Sequence, residues 1–450
     1  MDILNLWYIL QAVTQYQKIY LKFVFRDNHL HPSQDKVIAA FVYEFDTKQS
    51  HYYNFNHPDV VVNSSLREFK KLLVNKKVYV NNKKRYKYHI PNVDLYDVNL
   101  FSFLKDGNVV EMPVHSYTTQ LQMVHHNMNH INIVIPYVVH QNEFDAEVDI
   151  VDGYEDENVE SYCFKFFNNI VTDTLFEVER NGLHVNKPVF QSYFSNAKVV
   201  SGEHNGSDDT VYSEYYIYNP TGRPSNKFDS VNYVALNKED GCRTSFTSRF
   251  ATGKLLMVDF TGFHPYLVAQ LIQYQVPENE TIYEHLAKQY YNINTVDAET
   301  LGKSKKQTMV NLYGQIGDKH LHIPYFQKVD ELKNKYWEEF TTKGYVKTPI
   351  YKRKISSHHI IDPNKNKLFA YIIQATETEY GLNSLGNVNK YVRGKDIIPI
   401  LYIYDSILFD VGENVKPEEI KDVVDIIRNK RFKVKVYEGN NYNEMELVTI

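Results

Sequence analysis

Two strand-like segments of the sequence contain a charge where an apolar residue is expected. Residues 401–411 are LYIYDSILFDV, an apolar, β-branched and aromatic run that predicts a buried strand, yet Asp405 lies in its middle. A second apolar segment, LLMVDF (255–260), ends in the same way with Asp259. Burying a carboxylate is unfavourable unless it is paired, binds a cation or takes up a proton. A strand-end cap or an ion pair explains either aspartate alone, whereas two of them in different strands make a two-metal site a fair alternative.

Length and composition limit the class of protein. The chain has 450 residues, 43% of them hydrophobic, which is enough to bury a core and predicts two or three domains. A net charge of −5 argues against binding nucleic acid by bulk charge alone, but it does not exclude a locally basic groove. The two cysteines are too few for a disulfide framework. Because the sequence lacks both a long apolar run and a basic N-terminal signal, we expect a cytoplasmic protein without a membrane span.

Hydrophobic periodicity divides the chain into an α/β N-terminal part and a longer C-terminal part. In the first part, VIAAFVYEF and KKVYV predict strands, and SSLREFKKLL predicts a helix that begins at a serine cap. An acidic loop that ends near residue 160 marks the expected boundary. The segment after it is helical by period and ends at Gly182, a residue suited to a helix C-cap. Beyond residue 255, strand and helix patterns follow one another, with a hairpin between them.

A predicted helix over residues 298–314 adds a third chemical element. Lys305, Met309 and Tyr313 recur every four residues, so on a helix they span about 80° of one face. A cation, a soft apolar side chain and an aromatic ring in one stripe suit a nucleoside triphosphate, with its phosphates at one end and its base at the other. An ordinary amphipathic helix with an extended lysine explains the same spacing.

Taken in order, these segments resemble the motifs of family A DNA polymerases, the bacterial polymerase I and Klenow-type group. VDFTGFHPYLVAQL (258–271) is similar to motif A, in which an aspartate ends a strand that runs into a helix. The pattern K-x3-M-x3-YG (305–314) resembles motif B, the fingers helix that carries the incoming nucleotide. Tyr404, Asp405 and Ser406 stand where motif C has its His-Asp-Glu turn.

Four further segments resemble parts of the same family in the same order. They are EVERNGLHVN (177–186), which precedes the thumb; the Thr-Gly-Arg block that starts at NPTGR (219–223); the hairpin GYVKT (344–348); and IIQATETE (372–379), which contacts the primer–template minor groove. Each motif is weak alone, whereas seven in register across residues 177–450 make the resemblance strong.

The resemblance implies a role for each matching residue. Asp259 and Asp405 would coordinate two Mg²⁺ ions, with Mn²⁺ as the alternative, and the backbone carbonyl of Phe260 would add a ligand. Lys305 would meet the triphosphate and act as the general acid for the leaving pyrophosphate. Further contacts are implied at the nucleotide for Met309, Tyr313 and His264, and at the primer–template for Arg223, Gly314, Gln374 and Tyr404.

Some positions depart from the family pattern and leave the kind of polymer open. His264 stands where the family has the glutamate that excludes the ribose 2′-OH, and its bulk favours deoxynucleotides. Met309 and the Asp405–Ser406 pair also resemble the single-subunit RNA polymerases of phages, so RNA synthesis stays an alternative. Leu301 replaces an arginine of motif B, for which Lys303 is the nearest substitute.

The segment that corresponds to the thumb is short. Only 34 residues (186–219) separate the sequence HVN from the Thr-Gly-Arg block, where relatives insert a long helical hairpin. A polymerase without that clamp is expected to release its template easily. We therefore expect a processivity or replisome protein as a partner.

The N-terminal part resembles, more faintly, the 3′–5′ exonuclease domain that precedes these polymerases. Its first acidic motif would be Glu44-Phe45-Asp46, and its second would be YVNNKKRYK, with Lys87 in place of an aspartate. The third would be Tyr154, with Asn158 in place of an acid. Two of three motifs would then lack a carboxylate, which predicts a structural rather than a hydrolytic domain.

Together these observations predict a multidomain α/β and α+β protein built as a right-hand polymerase, of phage or mobile-element type. We expect an RNase H-like exonuclease-type domain at 1–160, a reduced thumb at 161–218, and an antiparallel palm with helical fingers at 219–450, the fingers near 272–343. The expected activity is template-directed addition of deoxynucleoside triphosphates to a DNA primer, without proofreading. The alternatives are an RNA polymerase or primase-like nucleotidyltransferase, and a catalytically lapsed replication scaffold.

Overall fold

A computed structural model describes residues 18–26, 31–61, 64–107, 109, 136–153, 161–199 and 209–450 of the chain. The chain divides into two units, Met1–Asn168 and Asn169–Ile450. The division falls a few residues beyond the boundary expected near residue 160, because the first residues of the helical segment after the acidic loop pack with the N-terminal unit.

The N-terminal unit contains a five-stranded mixed sheet. Its order is β3-β2-β1-β4-β5, with the first three strands antiparallel and the last two parallel to β1. All eight residues of β2 are buried, which explains why its sequence VIAAFVYE is apolar almost throughout instead of alternating. The strands are β1 (Lys18–Phe25), β2 (Val37–Glu44), β3 (Gln49–Asn54), β4 (Lys77–Val80) and β5 (Asp94–Asp97).

Five α-helices are described in this unit. The first begins where the sequence predicts it, since the Ser65 hydroxyl accepts a hydrogen bond from the backbone amide of Glu68. The fourth helix packs against β1 and β2, and the Tyr20 hydroxyl of β1 donates a 2.6 Å hydrogen bond to Glu147 on it. The helices are α1 (Leu66–Leu72), α2 (Lys83–Lys87), α3 (Val98–Asp106), α4 (Tyr137–Val151) and α5 (Tyr162–Phe166).

The C-terminal unit contains a second five-stranded sheet, and this one is antiparallel throughout. Its order is β14-β15-β11-β16-β17. The strand that contains Asp259 is therefore a direct neighbour of the strand that begins after Asp405. An antiparallel sheet in this part of the chain agrees with the sequence prediction. Its strands are β11 (Lys254–Phe260), β14 (Ile397–Ile403), β15 (Ser406–Val411), β16 (Val434–Gly439) and β17 (Met445–Val448).

A long helix, α12, organises the helical part of this unit. The side chain of Asn364, the residue before the helix, caps its first turn, and the helix packs against five of the other described helices, α6, α8, α10, α11 and α13. None of the described helices, α12 included, is long and apolar enough to cross a membrane. The helices are α6 (Thr172–Asn181), α7 (Lys187–Tyr193), α8 (Phe263–Leu271), α9 (Ile282–Tyr291), α10 (Ala298–Tyr313), α11 (Pro324–Lys343), α12 (Lys365–Tyr391) and α13 (Pro417–Arg428).

Local signals in the sequence are confirmed at two further places. A π-helical turn, Phe167–Val171, leads into α6, and that helix ends at the predicted cap Gly182, which has φ +61°. The predicted hairpin forms between β12 and β13. The remaining strands are short: β6 (Leu183–His184), β7 (Thr210–Val211), β8 (Tyr215–Tyr216), β9 (Ser225–Phe228), β10 (Val231–Asn232), β12 (Tyr345–Lys347) and β13 (Lys354–Ser356).

Candidate active site

The charge within LYIYDSILFDV lies at a hairpin turn. Ile403 at the end of β14 pairs with Ser406 at the start of β15, so Tyr404 and Asp405 form a two-residue turn. Tyr404 has φ +54°, a left-handed conformation that glycine adopts more easily and that costs a tyrosine about 1–3 kcal/mol. The turn presents Asp405 at the end of the sheet, where it is exposed, instead of in the core.

Asp259 reaches the same end of the sheet on the neighbouring strand. It lies opposite Ser406 in the pairing of β11 with β15, and opposite Lys435 in the pairing of β11 with β16. The backbone amide of Phe260 donates a 2.9 Å hydrogen bond to the carbonyl of Asp405. Ser406 follows Asp405 directly in the chain, so the two aspartates lie one position out of register at the ends of paired strands, close enough for the charge of Asp405 to act on Asp259.

The surroundings of both carboxylates disfavour their charged forms. Burial and the charge of Asp405 raise the pKa of Asp259 to about 7, and Lys435 opposes the shift only in part. Asp405 is open to solvent on one side but crowded by protein on the other. The resulting loss of hydration, together with the charge of Glu377, raises the pKa of Asp405 as well. A bound cation would stabilise both charged forms.

The donor set fits a hard divalent ion. Two carboxylates and the backbone carbonyl of Phe260 are oxygen ligands of the kind that Mg²⁺ prefers, and Mg²⁺ usually keeps water in its other coordination positions. In the parts of the chain that the structure describes, no group of three or more His, Cys, Asp and Glu side chains is arranged to hold a metal. A metal at this site would therefore depend on Asp259 and Asp405 as its side-chain ligands.

His264, near the start of α8, connects three other polar side chains. Its Nδ1 contacts the Tyr313 hydroxyl at the end of α10, and its Nε2 lies 3.0 Å from Oε1 of Glu377 on α12. The Nε of Arg223 donates a 2.6 Å hydrogen bond to the other oxygen of Glu377. These four residues form one hydrogen-bonded group, with Glu377 and His264 buried and Arg223 and Tyr313 half-buried, which we call the Glu377 cluster.

Arg223 links the Glu377 cluster to the hairpin turn. Its guanidinium carbon lies 4.6 Å from the centre of the Tyr404 ring, within the range of a cation–π interaction. Gly222 precedes it with φ +83°, and a Cβ at this position would clash with the guanidinium of Arg353. Arg353 in turn donates hydrogen bonds to the carbonyls of Asn219 and the following proline. The Thr-Gly-Arg sequence is thus held in place by a second, buried arginine.

The three residues of the α10 stripe lie in different environments. Lys305 is exposed, and its ammonium lies 5.8 Å from the ring centre of Tyr283. Met309 is half-buried one turn further along, and Tyr313 ends the helix within the Glu377 cluster. Burial and the charge of Glu377 raise the pKa of the Tyr313 hydroxyl, so it stays protonated. The stripe therefore runs from a solvent-exposed cation to a hydroxyl in the protein interior.

The C-terminal end of α10 is fixed by a buried lysine. Lys333 on α11 donates hydrogen bonds to the carbonyls of Asn311 and Gly314, at 3.0 and 2.8 Å. Burial lowers the pKa of Lys333 to about 8. A Cβ at Gly314 would meet the carbonyl oxygen of Val310 at 2.8 Å, so glycine is favoured at this helix end.

Other candidate residues lie outside this arrangement. Gln374 is half-buried on α12, one turn before Glu377. Lys303 is exposed and forms an ion pair with Glu299 on the same helix at 2.7 Å, which is the solvated arrangement that an ordinary surface lysine adopts. Asp410, the second acid of the segment LYIYDSILFDV, is fully buried and accepts hydrogen bonds from Ser248 and from the backbone and side chain of Arg249.

Glu377 and Lys435 are members of the site that the sequence patterns missed. Glu377 belongs to the segment IIQATETE, where only Gln374 was singled out. The sequence carries little signal for it, since Glu377 stands between Thr376 and Thr378 and two residues before Glu379, a pattern that equally suits a solvated helix face. Lys435 alternates with apolar residues in its strand, so its position opposite Asp259 depends on strand pairing alone.

The exonuclease-like candidates of the N-terminal unit are dispersed over several elements. Glu44 is buried at the end of β2 and accepts a hydrogen bond from the Thr47 hydroxyl, while Asp46 is exposed in the turn that follows. Lys87 is the last residue of α2. The third candidate pair, Tyr154 and Asn158, lies outside the described residues.

A lysine neutralises two acids in the middle of the same unit. The ammonium of Lys22 on β1 lies 2.8 Å from Oε1 of Glu147 and 3.2 Å from Oε2 of Glu143, both on α4. All three side chains are largely buried. An internal ammonium therefore supplies the positive charge that these carboxylates require.

Comparison with known proteins finds a similar fold among solved structures and no match by sequence. No protein-family model matches the chain, and no curated protein sequence matches it. Among solved structures, the chain is similar to a DNA polymerase domain. That structure is the POL domain of Pol1 from M. smegmatis in complex with DNA primer-template and dNTP, with a TM-score of 0.74, 12% sequence identity, and coverage of 98% of this chain and 99% of that chain. At this identity the similarity is one of fold, and the chain has the fold of a DNA polymerase domain.

Proposed function

We propose that this chain is a template-directed DNA polymerase that adds deoxynucleotides to a primer 3′ end, a divergent relative of the family A enzymes. The observation that supports it most strongly is the convergence of Asp259 and Asp405 at one end of an antiparallel sheet. The fold similarity to a polymerase domain agrees with it. In this proposal the palm and fingers comprise residues 219–450, with the fingers near 272–343, and residues 161–218 form a reduced thumb.

Asp259, Asp405 and the carbonyl of Phe260 would hold two Mg²⁺ ions, or Mn²⁺. When bound, such ions lower the pKa of an attacking hydroxyl and stabilise charge on the phosphates. The chain itself contributes the strand pairing that holds the two carboxylates together. Lys305, exposed on α10, is proposed to bind the triphosphate and to give a proton from Nζ to the leaving pyrophosphate.

His264, Tyr313 and Met309 are proposed to form the nucleotide pocket. The contact between the His264 ring and the Tyr313 hydroxyl closes the space between α8 and α10, which favours a sugar without a 2′-hydroxyl. Met309 lies one turn before Tyr313, where it would pack against the nascent base pair.

Arg223, Gly314, Gln374 and Tyr404 are proposed to contact the primer–template. A guanidinium and an amide suit the acceptors of the minor groove, and contacts of this kind fix the position of a duplex without selecting its sequence. The stacking of Arg223 on Tyr404 would place this contact directly beside Asp405.

The N-terminal unit is proposed to be structural, without proofreading activity. The supporting observation is the ammonium of Lys22 between Glu143 and Glu147, because a fixed positive charge opposes divalent-cation binding beside these acids. With a reduced thumb, the enzyme is further proposed to be distributive alone and to depend on a processivity partner.

Primer extension by the purified full-length chain tests the proposed function. We expect the wild type to extend a DNA primer on a DNA template with Mg²⁺ and deoxynucleotides, and Asp405→Asn to abolish extension. Asp149→Asn, which changes an exposed acid of the N-terminal unit, is the matched control and should keep full activity. Extension with ribonucleotides alone would support an RNA polymerase instead. Template binding without extension would support a lapsed scaffold.

A further inference from the structure

Glu377 is a buried carboxylate for which the proposed function gives no role. Its side chain is 1% exposed, and both of its oxygens have partners on other elements. Oε2 accepts a hydrogen bond from Nε of Arg223 at 2.6 Å, and Oε1 lies 3.0 Å from Nε2 of His264. A carboxylate is rarely buried this deeply for stability alone, because its desolvation offsets much of the gain from pairing. The burial of this carboxylate is therefore better explained by an effect on the conformation of its partners.

Glu377 determines which of the two ring nitrogens of His264 carries the hydrogen. Nε2 of His264 faces both the carboxylate and Nη2 of Arg223, the latter at 3.1 Å. A carboxylate is the stronger partner, so Nε2 carries a hydrogen and donates it to Oε1. Nδ1 is then left as an acceptor, and the Tyr313 hydroxyl donates to it.

The orientation of the ring is transmitted to the end of α10. His264 is almost completely buried and packs edge to face against Tyr313, with ring centres 5.7 Å apart. If Nε2 lost its acceptor, Arg223 would be the remaining partner of that nitrogen, and the hydrogen would move to Nδ1. The Tyr313 hydroxyl would then lose the acceptor towards which it now points.

We propose that Glu377 is a positioning residue that determines sugar selection: it orients His264, and through it the Tyr313 ring, so that the nucleotide site takes 2′-deoxyribonucleotides and rejects ribonucleotides. This inference rests on the proposed polymerase function and adds to it a residue from α12. It differs from the direct roles of His264 and Tyr313, since Glu377 acts only through them.

Single-nucleotide incorporation by the full-length chain tests this proposal. The ratio of kcat/KM for dATP to kcat/KM for ATP, opposite a template thymine, is measured for the wild type, Glu377→Gln and Tyr313→Phe. Loss of one charge-assisted hydrogen bond is expected to lower this ratio about tenfold in Glu377→Gln, chiefly through a lower KM for ATP. Tyr313→Phe, which removes the far end of the same chain of bonds without touching a buried charge, should lower it similarly.

Glu379→Gln is the matched control. Glu379 lies two residues further along α12 and is equally buried, but it binds the Thr348 hydroxyl and the Tyr351 amide instead of His264. We expect the ratio of kcat/KM for dATP to kcat/KM for ATP in Glu379→Gln to stay within about twofold of the wild type, since Glu379 forms no hydrogen bond with the Glu377 cluster. The double variant that combines Glu377→Gln with Tyr313→Phe should have a dATP-to-ATP ratio no lower than that of either single variant.

The outcomes separate this proposal from the polymerase function. If the wild type extends primers but Glu377→Gln and Tyr313→Phe both keep the wild-type ratio, the positioning role of Glu377 is wrong and the polymerase stands. A lower melting temperature of Glu377→Gln with an unchanged ratio likewise identifies a purely structural carboxylate. If the wild type extends with neither nucleotide, both proposals are wrong.

Discussion

The backbone amide of Phe260 donates a 2.9 Å hydrogen bond to the carbonyl of Asp405, at the point where two antiparallel strands end. This bond connects segments that lie far apart in the sequence and sets Asp259 beside Asp405. It leaves two carboxylates with raised pKa values next to each other, an arrangement that is unfavourable unless a cation binds. The same backbone bond therefore explains why the two carboxylates repel each other and why the pair is suited to binding a metal ion.

Replacing Asp259 by asparagine should stabilise the metal-free protein. The pKa of Asp259 is raised from its usual 3.8 to about 7, so stability is lost as the pH rises through this interval. Asparagine cannot ionise and avoids that loss. We expect Asp259→Asn to melt about 2–4 °C above the wild type at pH 8 in EDTA, with a smaller difference at pH 5.

The metal itself provides the control for this measurement. Adding Mg²⁺ or Mn²⁺ at pH 8 should raise the melting temperature of the wild type and not that of Asp259→Asn. An equal metal-dependent shift in both proteins would show that Asp259 is not a ligand.

Two lysines in the middle of α10, Lys303 and Lys305, should differ in function. Lys305 lies on the stripe that leads to Tyr313, whereas Lys303 pairs with Glu299 on the exposed surface. We expect Lys305→Ala to lower kcat for nucleotide addition about a hundredfold, as removal of a general acid does. Lys303→Ala should stay close to the wild type. Equal losses in both variants would indicate a general effect of charge on DNA binding.

Asp410 should stabilise the folded chain and take no part in catalysis. It is fully buried, and Arg249 binds it at 2.8 Å. Asp410→Asn leaves that arginine without a counter-charge, so we expect a loss of about 3–5 kcal/mol in urea unfolding. Asp425→Asn breaks an exposed ion pair with Arg428 and is the control, with an expected change below about 1 kcal/mol. A neutral effect of Asp410→Asn would contradict this assignment.

Lys22 should be essential to the stability of the N-terminal unit. Lys22→Met would leave Glu147 buried without its cation, at an expected cost of about 3–5 kcal/mol, measurable by denaturant unfolding of the full chain. Lys48→Met is the control, because its ion pair with Asp152 is exposed and should contribute nothing measurable. Should Lys22→Met retain wild-type stability and begin to degrade mismatched primers, the proposed structural role of this unit is wrong.

Local sequence signals located the ends of several helices in both units. Ser65 begins a helix and Gly182 ends one, because a side-chain oxygen and a left-handed backbone satisfy unpaired helix ends over a few residues. The segment that contains Lys305, Met309 and Tyr313 forms a helix from Ala298 to Tyr313, as its periodicity predicts. These signals are short in range, so a single sequence contains them completely.

The sequence by itself determined that two carboxylates stand in or beside apolar strand segments and that a lysine, a methionine and a tyrosine share one helix face. Tertiary structure alone decided which partners these residues have. Asp410 and Asp405 lie five residues apart, yet the loop before β11 brings Arg249 to the first, and strand pairing places the second beside Asp259. Glu377 meets His264 only because α12 packs against α8. The physical reason is range: caps and periodicity act within a few residues, whereas the pairing of buried charges depends on which distant segments pack together.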